Sequence, residues 1–181
     1  MGTTLRTRRL TLREFMRDDV DDLLRSDGDA CVMRYLANGL APRTRDEVAA
    51  SLERLCRLYE EKPGYYSLHA SESGRFVGAC GLFDIPEGDG VEIAYRLPFD
   101  CWGRGYATEM ATVVLQHGFG TLGLERIVGL TWPENTASQR VLEKIGMQRR
   151  GVERHYGRDM QVFVAHRMPA DDAASAQTSS R

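Results

Sequence analysis

A glycine-rich stretch at residues 102–109, Trp-Gly-Arg-Gly-Tyr-Ala-Thr-Glu, carries the residue types that bind anions. It lies between a predicted strand and a predicted helix. Free backbone N–H groups at a helix N-terminus, together with the positive end of the helix dipole, form an anion site. Gly103 and Gly105 allow the backbone to come close to a diphosphate. The stretch therefore predicts a site for a phosphate-bearing cofactor.

The two glycines also fit a plain tight turn before a helix, so this short motif alone decides little. It is not a P-loop, because no Gly-Lys-Ser/Thr follows after four intervening residues. It is not a Rossmann fingerprint either, because the third glycine and an N-terminal βαβ unit are absent. These differences disfavour nucleotide hydrolysis and hydride transfer.

A second polar stretch, residues 135–147, again runs from the end of a predicted strand into a helix. Its sequence is Asn-Thr-Ala-Ser-Gln-Arg-Val-Leu-Glu-Lys-Ile-Gly-Met. Asn135 and Ser138 are residue types that cap helix N-termini, which leaves a purely structural role open. The presence of both stretches in this order is what favours a shared function.

The apolar pattern around these stretches predicts a mixed α/β domain over residues 1–168. Period-2 alternation, as at Leu10 and Leu12, predicts strands, and apolar residues spaced by three and four predict helices. The predicted strands are residues 5–13, 65–70, 76–85, 91–97, 126–132 and 160–168; the predicted helices are residues 18–25, 45–61, 104–119 and 138–145. Residues 169–181 lack large apolar side chains, which predicts a disordered tail.

Length and composition are those of an ordinary single-domain globular protein, with 181 residues, 42% of them hydrophobic and 28% charged. No apolar run approaches the roughly 20 residues that span a bilayer, and the N-terminus has no apolar h-region. We therefore expect a cytoplasmic protein that does not bind membranes. A net charge of -2 offers nucleic acid no general attraction.

Cysteine and histidine spacing gives no sign of a metal site. The four cysteines include no C-x-x-C pair, which argues against zinc and against a disulfide framework. His69, His117 and His155 could titrate near neutral pH, but a lone histidine is usually structural. No Ser-His-Asp order stands out, which disfavours covalent catalysis.

Taken together, the two stretches resemble the GNAT (general N-acetyltransferase) superfamily, and the resemblance covers roughly residues 5–168. Family members carry an acyl-CoA motif Q/R-x-x-G-x-G/A after the fourth strand, which Trp102 to Ala107 match with tryptophan in the first position. The strings W-G-x-G-Y-A-T-E and N-x-x-S-x-R-V-L-E-K-x-G-F are typical of the branch related to ribosomal-protein alanine N-acetyltransferases (the Rim type). Met147 here replaces the final aromatic residue. The resemblance implies a mostly antiparallel sheet, splayed in the middle, with helices on both faces.

The resemblance also implies that the cofactor is acetyl-CoA, used as a cosubstrate. The backbone of Leu97 would bond the pantetheine arm between the splayed fourth and fifth strands, and Asn135 would fix the pantetheine region. The residues so predicted to bind acetyl-CoA are Leu97, Gly103, Arg104, Gly105, Tyr106, Ala107, Thr108, Asn135 and Ser138.

Three catalytic residues follow from the same resemblance, for a direct transfer to an amine without a covalent intermediate. Ser138 would lie near the thioester sulfur and donate a proton to the leaving thiolate, with Tyr156 as a rival for that role. Glu92 occupies the strand position where many relatives keep an acid that works through water. The alternation around Glu92 equally predicts an exposed strand glutamate, and both interpretations stay open.

The acceptor is the least determined part of the prediction. The Rim-like resemblance favours a protein or peptide N-terminal amine, whereas relatives on the same scaffold acylate small amines, polyamines, amino acids or antibiotics. We expect a monomer or homodimer whose partner is this amine acceptor. The alternative is a non-catalytic acyl-CoA-binding or interaction module on the same fold, against which the presence of Glu92, Ser138 and Tyr156 counts.

Overall fold

The computed structural model describes residues 3–36, 41–58, 64–86 and 90–168, without the side chain of Leu58. The tail predicted for residues 169–181 lies outside this part of the chain. So do residues 59–61 of the helix predicted over residues 45–61, and residues 87–89 of the turn predicted before the strand at residue 91.

The described strands form one mixed sheet. In chain order they are β1 (Thr4–Arg6), β2 (Leu10–Glu14), β3 (Tyr65–Ala70), β4 (Phe76–Asp84), β5 (Val91–Arg96), β6 (Arg126–Thr131), β7 (Gln148–His155) and β8 (Arg158–His166). Across the sheet they follow the order β1-β2-β3-β4-β5-β6-β8-β7. Neighbours are antiparallel except β5 and β6, which are parallel. The predicted fold class is confirmed.

Helices cover both faces of the sheet. They are α1 (Val20–Asp27), α2 (Ala30–Met33), α3 (Arg45–Leu58), α4 (Tyr106–Gly120) and α5 (Thr136–Lys144). Successive strand residues point to opposite faces. Tyr66 and Cys80 accordingly share a buried cluster with residues of α4 and α5, whereas Tyr65 and Ala79 pack with residues of α1 and α3. We refer to these as the α4–α5 face and the α1–α3 face.

The N-terminal segment differs from its prediction. One strand was expected over residues 5–13, but the structure has the two antiparallel strands β1 and β2, which pair through Leu5 and Leu12. Between them the backbone N–H of Thr7 donates to the carbonyl of Leu10 at 2.9 Å, and the backbone N–H of Leu10 donates to the Thr7 hydroxyl at 2.9 Å. These bonds close a tight turn where the continuous strand was predicted.

A second difference is β7, which the sequence pattern predicts as part of a connection. This strand forms the edge of the sheet and pairs with β8, and the register shifts between Arg149 and Gly151. The final strand begins at Arg158 and not at the predicted residue 160. The strand predicted over residues 65–70 is present with those bounds, and the other predicted strands and helices are present with shifted ends.

Candidate active site

The sheet opens between its two parallel strands. In the described part of the chain, β5 and β6 pair at two positions only, Val91 with Ile127 and Glu92 with Val128. Both strands run on in the same direction beyond these pairs, to Arg96 and Thr131. Beyond these pairs, the backbone N–H and C=O groups on the facing edges of β5 and β6 do not hydrogen-bond to each other. Such groups can hydrogen-bond to an extended chain placed between the two strands. We call this opening the wedge.

The glycine-rich stretch lies where the wedge opens, between the end of β5 and the start of α4. Gly103 and Gly105 have positive φ angles of 71° and 79°, a conformation that glycine adopts without steric cost. Gly105 is the N-cap of α4, and no side chain of the described residues caps the helix there. The first N–H groups of α4 therefore remain available to an anion. We call residues 102–108 the cofactor loop.

Glu109, the acid at the end of this motif, is turned away from the anion site by the β1–β2 hairpin. It accepts hydrogen bonds from the Thr7 hydroxyl at 2.5 Å, from the backbone N–H of Arg9 at 2.9 Å and from Arg9 Nε at 2.7 Å. Burial alone would raise the pKa of Glu109, but these hydrogen bonds outweigh it and the pKa is lowered. The carboxylate is thus charged and paired, and does not repel a bound phosphate.

Arg9 is a residue of this site that the sequence did not reveal. Its Nη1 donates to the carbonyl of Arg104 at 3.1 Å, and its guanidinium lies 4.8 Å from the centroid of the Tyr106 ring. Arg9 therefore contacts the cofactor loop from the turn between β1 and β2, about a hundred positions earlier in the chain. Nothing in the local pattern of β1 and β2 predicts that contact.

Trp102 ties the cofactor loop to the end of β5. Its indole N–H donates to the carbonyl of Leu97 at 2.9 Å, and its ring stacks at a tilt on Phe99 with centroids 5.0 Å apart. The carbonyl of Leu97 is thus already engaged within the chain. Its assignment to the pantetheine arm stays a prediction, as do those of the loop residues Gly103, Arg104, Gly105, Tyr106, Ala107 and Thr108.

Across the wedge, Asn135 is the N-cap of α5. Its side-chain oxygen accepts a hydrogen bond from the backbone N–H of Ser138 at 3.1 Å, which is the capping role that its residue type had left open. Ser138 is held in turn by Tyr95 of β5. The Tyr95 hydroxyl lies 2.9 Å from Ser138 Oγ and 3.1 Å from the Ser138 carbonyl oxygen. Tyr95 thereby connects β5 to the start of α5 on the α4–α5 face.

The contacts of Tyr95 determine what Ser138 can donate. Burial raises the pKa of Tyr95, so its hydroxyl stays protonated and has one proton to give. If Tyr95 donates to Ser138 Oγ, the proton of Ser138 is free to point at a sulfur atom in the wedge. If Tyr95 donates its proton to the Ser138 carbonyl instead, the Tyr95 hydroxyl oxygen can accept a hydrogen bond from the Ser138 hydroxyl. Tyr95 is a site residue that the sequence analysis did not single out.

Glu92 and Tyr156 meet on the α1–α3 face. Glu92 pairs with Val128 at the vertex of the wedge, and its neighbour Ile93 points into the α4–α5 core. Burial raises the pKa of Glu92, while a hydrogen bond from Tyr156 and the nearby His155 act in the opposite direction without cancelling it. The glutamate is therefore a partly buried carboxyl with a raised pKa and not a solvated strand residue.

Tyr156 is placed by an unusual turn. It occupies the two-residue connection between β7 and β8, where His155 pairs with Arg158. Tyr156 has a φ of 53° and Gly157 a φ of 73°, the pattern of a type I′ hairpin turn, which asparagine and glycine favour. A left-handed conformation costs a tyrosine roughly 1–2 kcal/mol. Such strain at a residue bound to a buried carboxyl is typical of a functional site.

Comparison with known proteins identifies the family. Residues 9–148 match the family model described as the acetyltransferase (GNAT) domain. The chain belongs to the GNAT acetyltransferase family. This GNAT chain is 32% identical over 168 residues to the uncharacterized N-acetyltransferase p20 of Bacillus licheniformis, an alignment that covers 89% of the chain and 93% of that protein.

Solved GNAT structures have the same fold. The GNAT-family acetyltransferase of Bacillus anthracis superposes with a TM-score of 0.78 at 25% identity, over 91% of this chain and 99% of that one. The ribosomal alpha-N-protein acetyltransferase RimL, solved in complex with coenzyme A, superposes with a TM-score of 0.76 at 16% identity, over 91% and 98% of the two chains. At that identity the second likeness shows the fold alone.

The site of this GNAT chain suits the acetyl-CoA on which the family depends. The uncapped start of α4 offers N–H groups to a diphosphate, and the unpaired edges of the wedge suit an extended pantetheine arm. Ser138 lies on one face of the sheet and the Glu92–Tyr156 pair on the other. A thioester that passes through the wedge would therefore meet both sets of side chains.

Two histidines are accounted for by structural contacts. His117 is buried in α4 with its ring 6.1 Å from that of Tyr66, and burial lowers its pKa. The two ring nitrogens of His69 contact the Ser67 hydroxyl at 2.8 Å and the Gly74 carbonyl at 3.0 Å.

The four cysteines all lie in the described part of the chain and are free thiols. Among the described helices, none is long and apolar enough to cross a membrane.

Proposed function

We propose that this GNAT enzyme transfers the acetyl group of acetyl-CoA directly to a primary amine, either a protein or peptide N-terminus or a small amine. The observation that carries the proposal is the arrangement around the wedge. The uncapped start of α4 lies at its open end, Ser138 lies on one face of the sheet, and the Glu92–Tyr156 pair lies on the other.

The proposed reaction needs one base, one acid and no covalent intermediate. Glu92, directly or through a water molecule, takes a proton from the ammonium group, and the neutral nitrogen attacks the thioester carbonyl. The tetrahedral intermediate then collapses and the C–S bond breaks. The CoA thiolate receives a proton from Ser138 or Tyr156, and the second proton that leaves the nitrogen, as the amide forms, returns to that hydroxyl. A raised pKa makes the Glu92 carboxylate a stronger base than an ordinary glutamate, which suits this role.

The names of similar proteins support amine acetylation. The Bacillus licheniformis relative is named an N-acetyltransferase, and RimL is named as an acetyltransferase of a ribosomal protein α-amine. The Rim-type strings around Trp102 and Asn135 point the same way. A cytoplasmic location, a monomeric or homodimeric state and the absence of a metal remain predictions.

The proposal is tested by acetyl-CoA turnover across a panel of amines. Free CoA would be measured as thiol released with peptides that offer either an N-terminal amine or a lysine side chain, and with small amines. An α-amino group has a pKa of about 7.7–8.0 against about 10.4 for lysine, so it is more often neutral at pH 7. We expect CoA release, faster with the N-terminal amine than with lysine. An acyl-CoA-binding module without activity would bind acetyl-CoA and release no CoA with any amine, and that outcome would refute the proposal.

Single-atom substitutions distinguish the two candidate acids. Ser138→Ala removes the hydroxyl and keeps the backbone N–H that Asn135 caps, so α5 should stay intact. If Ser138 serves the thiolate, its loss should lower kcat roughly 10- to 1000-fold with little change in acetyl-CoA affinity. Tyr95→Phe should give part of the same loss, because it removes the hydroxyl that orients Ser138. Steady-state kinetics that show a large loss for Tyr156→Phe and a small one for Ser138→Ala would exchange the two assignments.

A further inference from the structure

Arg158 lies at the start of β8, on the α1–α3 face. Val162 and Val164 follow it at even spacings and pack with Val128 in a buried cluster, so alternation places Arg158 on their face. Val128 is opposite Glu92 in the parallel ladder, and Glu92 therefore shares that face. Because β8 runs antiparallel to β6, its first residue lies near the end of β6, where the wedge opens.

Arg158 lies over an aromatic ring. Its guanidinium carbon lies 3.1 Å from the centroid of the Trp132 ring, and Tyr35 meets Trp132 edge-on with centroids 5.7 Å apart. All three residues are partly buried. A guanidinium stacked in this way keeps its donor edges in a fixed direction, which prepares it to bind a planar acceptor.

The charge of Arg158 has no partner in residues 3–36, 41–58, 64–86 and 90–168. No carboxylate there forms an ion pair with it, and its buried Nε has no hydrogen-bond partner. Arg96, on the same face, also has a buried Nε without a well-directed hydrogen bond, but its charge is paired, because this Nε lies 2.8 Å from the fully buried Asp27. Burying a guanidinium donor is unfavourable unless it is paired, so Arg158 suits an anion brought by a ligand.

We propose that Arg158 binds a carboxylate of the acceptor, so that the preferred acceptors are amines that also carry a carboxylate. The inference rests on the proposed function and narrows its acceptor class. A guanidinium and a carboxylate match in two parallel N–H···O bonds. The carboxylate can be the α-carboxylate of a free amino acid or that of an acidic side chain next to a peptide N-terminus. Pairs of acceptors that differ only in this carboxylate distinguish the two possibilities.

The test compares each carboxylate with its uncharged amide. The first pair of acceptors is alanine and alaninamide, and the second is a short peptide amide with glutamate or glutamine as its second residue. Hydrogen bonds to charged groups correspond to roughly 10- to 100-fold in affinity. We therefore expect wild-type protein to favour the carboxylate in at least one pair by that factor, mainly through KM. Arg158→Gln should abolish the preference and leave turnover of the amide within about twofold, while Arg158→Lys should retain part of it.

Arg150→Gln is the matched control, since Arg150 lies on the neighbouring strand β7 with an exposed side chain. It removes the same charge and should leave the preference unchanged. Melting curves with and without acetyl-CoA establish that each variant folds and binds the cosubstrate. An Arg158→Gln protein that keeps the wild-type preference, or a wild-type protein without any preference, would overturn the inference.

Acceptor binding gives a readout that does not depend on turnover. Calorimetric titration of alanine, alaninamide and the two peptides into protein saturated with CoA should show the same preference for the carboxylate and the same loss in Arg158→Gln. Binding that depends on Arg158 without CoA release from acetyl-CoA would contradict the proposed function and leave the carboxylate site standing. Equal binding of carboxylate and amide, with normal acetyl transfer, would contradict the carboxylate site alone.

Discussion

Replacing Gly105 with valine is expected to abolish the stabilisation that acetyl-CoA gives to the folded protein. A ligand selective for the folded state stabilises it by about 2.7 kcal/mol at a hundred times its Kd, which corresponds to a rise in Tm of roughly 5–11 °C for a chain of this size. A Cβ on Gly105 would lie 3.4 Å from Arg9 Nη2, and the φ of 79° strains any β-branched residue. Thermal melts with and without acetyl-CoA measure the effect.

Gly74→Val is the matched control for backbone strain. Gly74 has a φ of 67° in the turn between β3 and β4, and a Cβ there would meet no heavy atom within 4 Å. Its substitution should lower the Tm of the free protein by a similar amount and keep the full shift with acetyl-CoA. If Gly105→Val folds and shows the same shift as wild-type protein, the diphosphate does not bind at the cofactor loop.

Glu92→Gln is expected to lower kcat/KM most in the pH window between the raised pKa of Glu92 and the pKa of the amine. Burial raises the pKa of Glu92, so the wild-type carboxyl becomes a competent base only as the pH rises through that raised value. Above the amine pKa, about 7.7–8.0 for a peptide N-terminus, bulk solution deprotonates the acceptor and the base matters less. Between these limits we expect a loss of about 100-fold, the lower end of the range for general bases.

Rate profiles from about pH 6 to 9.5 with one N-terminal peptide would show this window, since such profiles report the groups that titrate. Glu143→Gln is the control, because Glu143 is an exposed glutamate on α5. It should leave the profile unchanged. Parallel profiles for wild-type and Glu92→Gln protein, offset by a constant factor, would remove Glu92 from the proton path.

The parts of the site that could be predicted from sequence are those whose residues are close together in the chain and lie at a connection from a strand to a helix. The cofactor loop was predicted because a strand, two glycines and a helix follow one another within a few residues, and the structure has that order from β5 to α4. Asn135 and Ser138 were placed at a helix start for the same local reason. Only the structure separates a solvated Glu92 from a partly buried one, because strand alternation is the same in both.

What the sequence did not reveal depends on contacts between distant segments. Arg9 contacts Glu109 across a hundred positions, and Tyr95 contacts Ser138 across 43, so neither pair has a local signature. β7 escaped prediction because it is an edge strand whose side chains are mostly exposed, and such a strand has no apolar face to alternate. Its pairing with β8 defines it, and that pairing is what places Tyr156 against Glu92.

The hairpin turn at Tyr156 and Gly157 limits how this protein can be engineered. A redesign guided by stability or by turn statistics would choose asparagine at position 156, because asparagine followed by glycine is the favoured pair in such turns. That choice would relieve the backbone and remove the hydroxyl that contacts Glu92. Under the proposed mechanism, in which Glu92 and Tyr156 serve proton transfer, stability and activity select opposite residues at position 156. A library screened only for thermal resistance would then drift toward folded variants with impaired turnover.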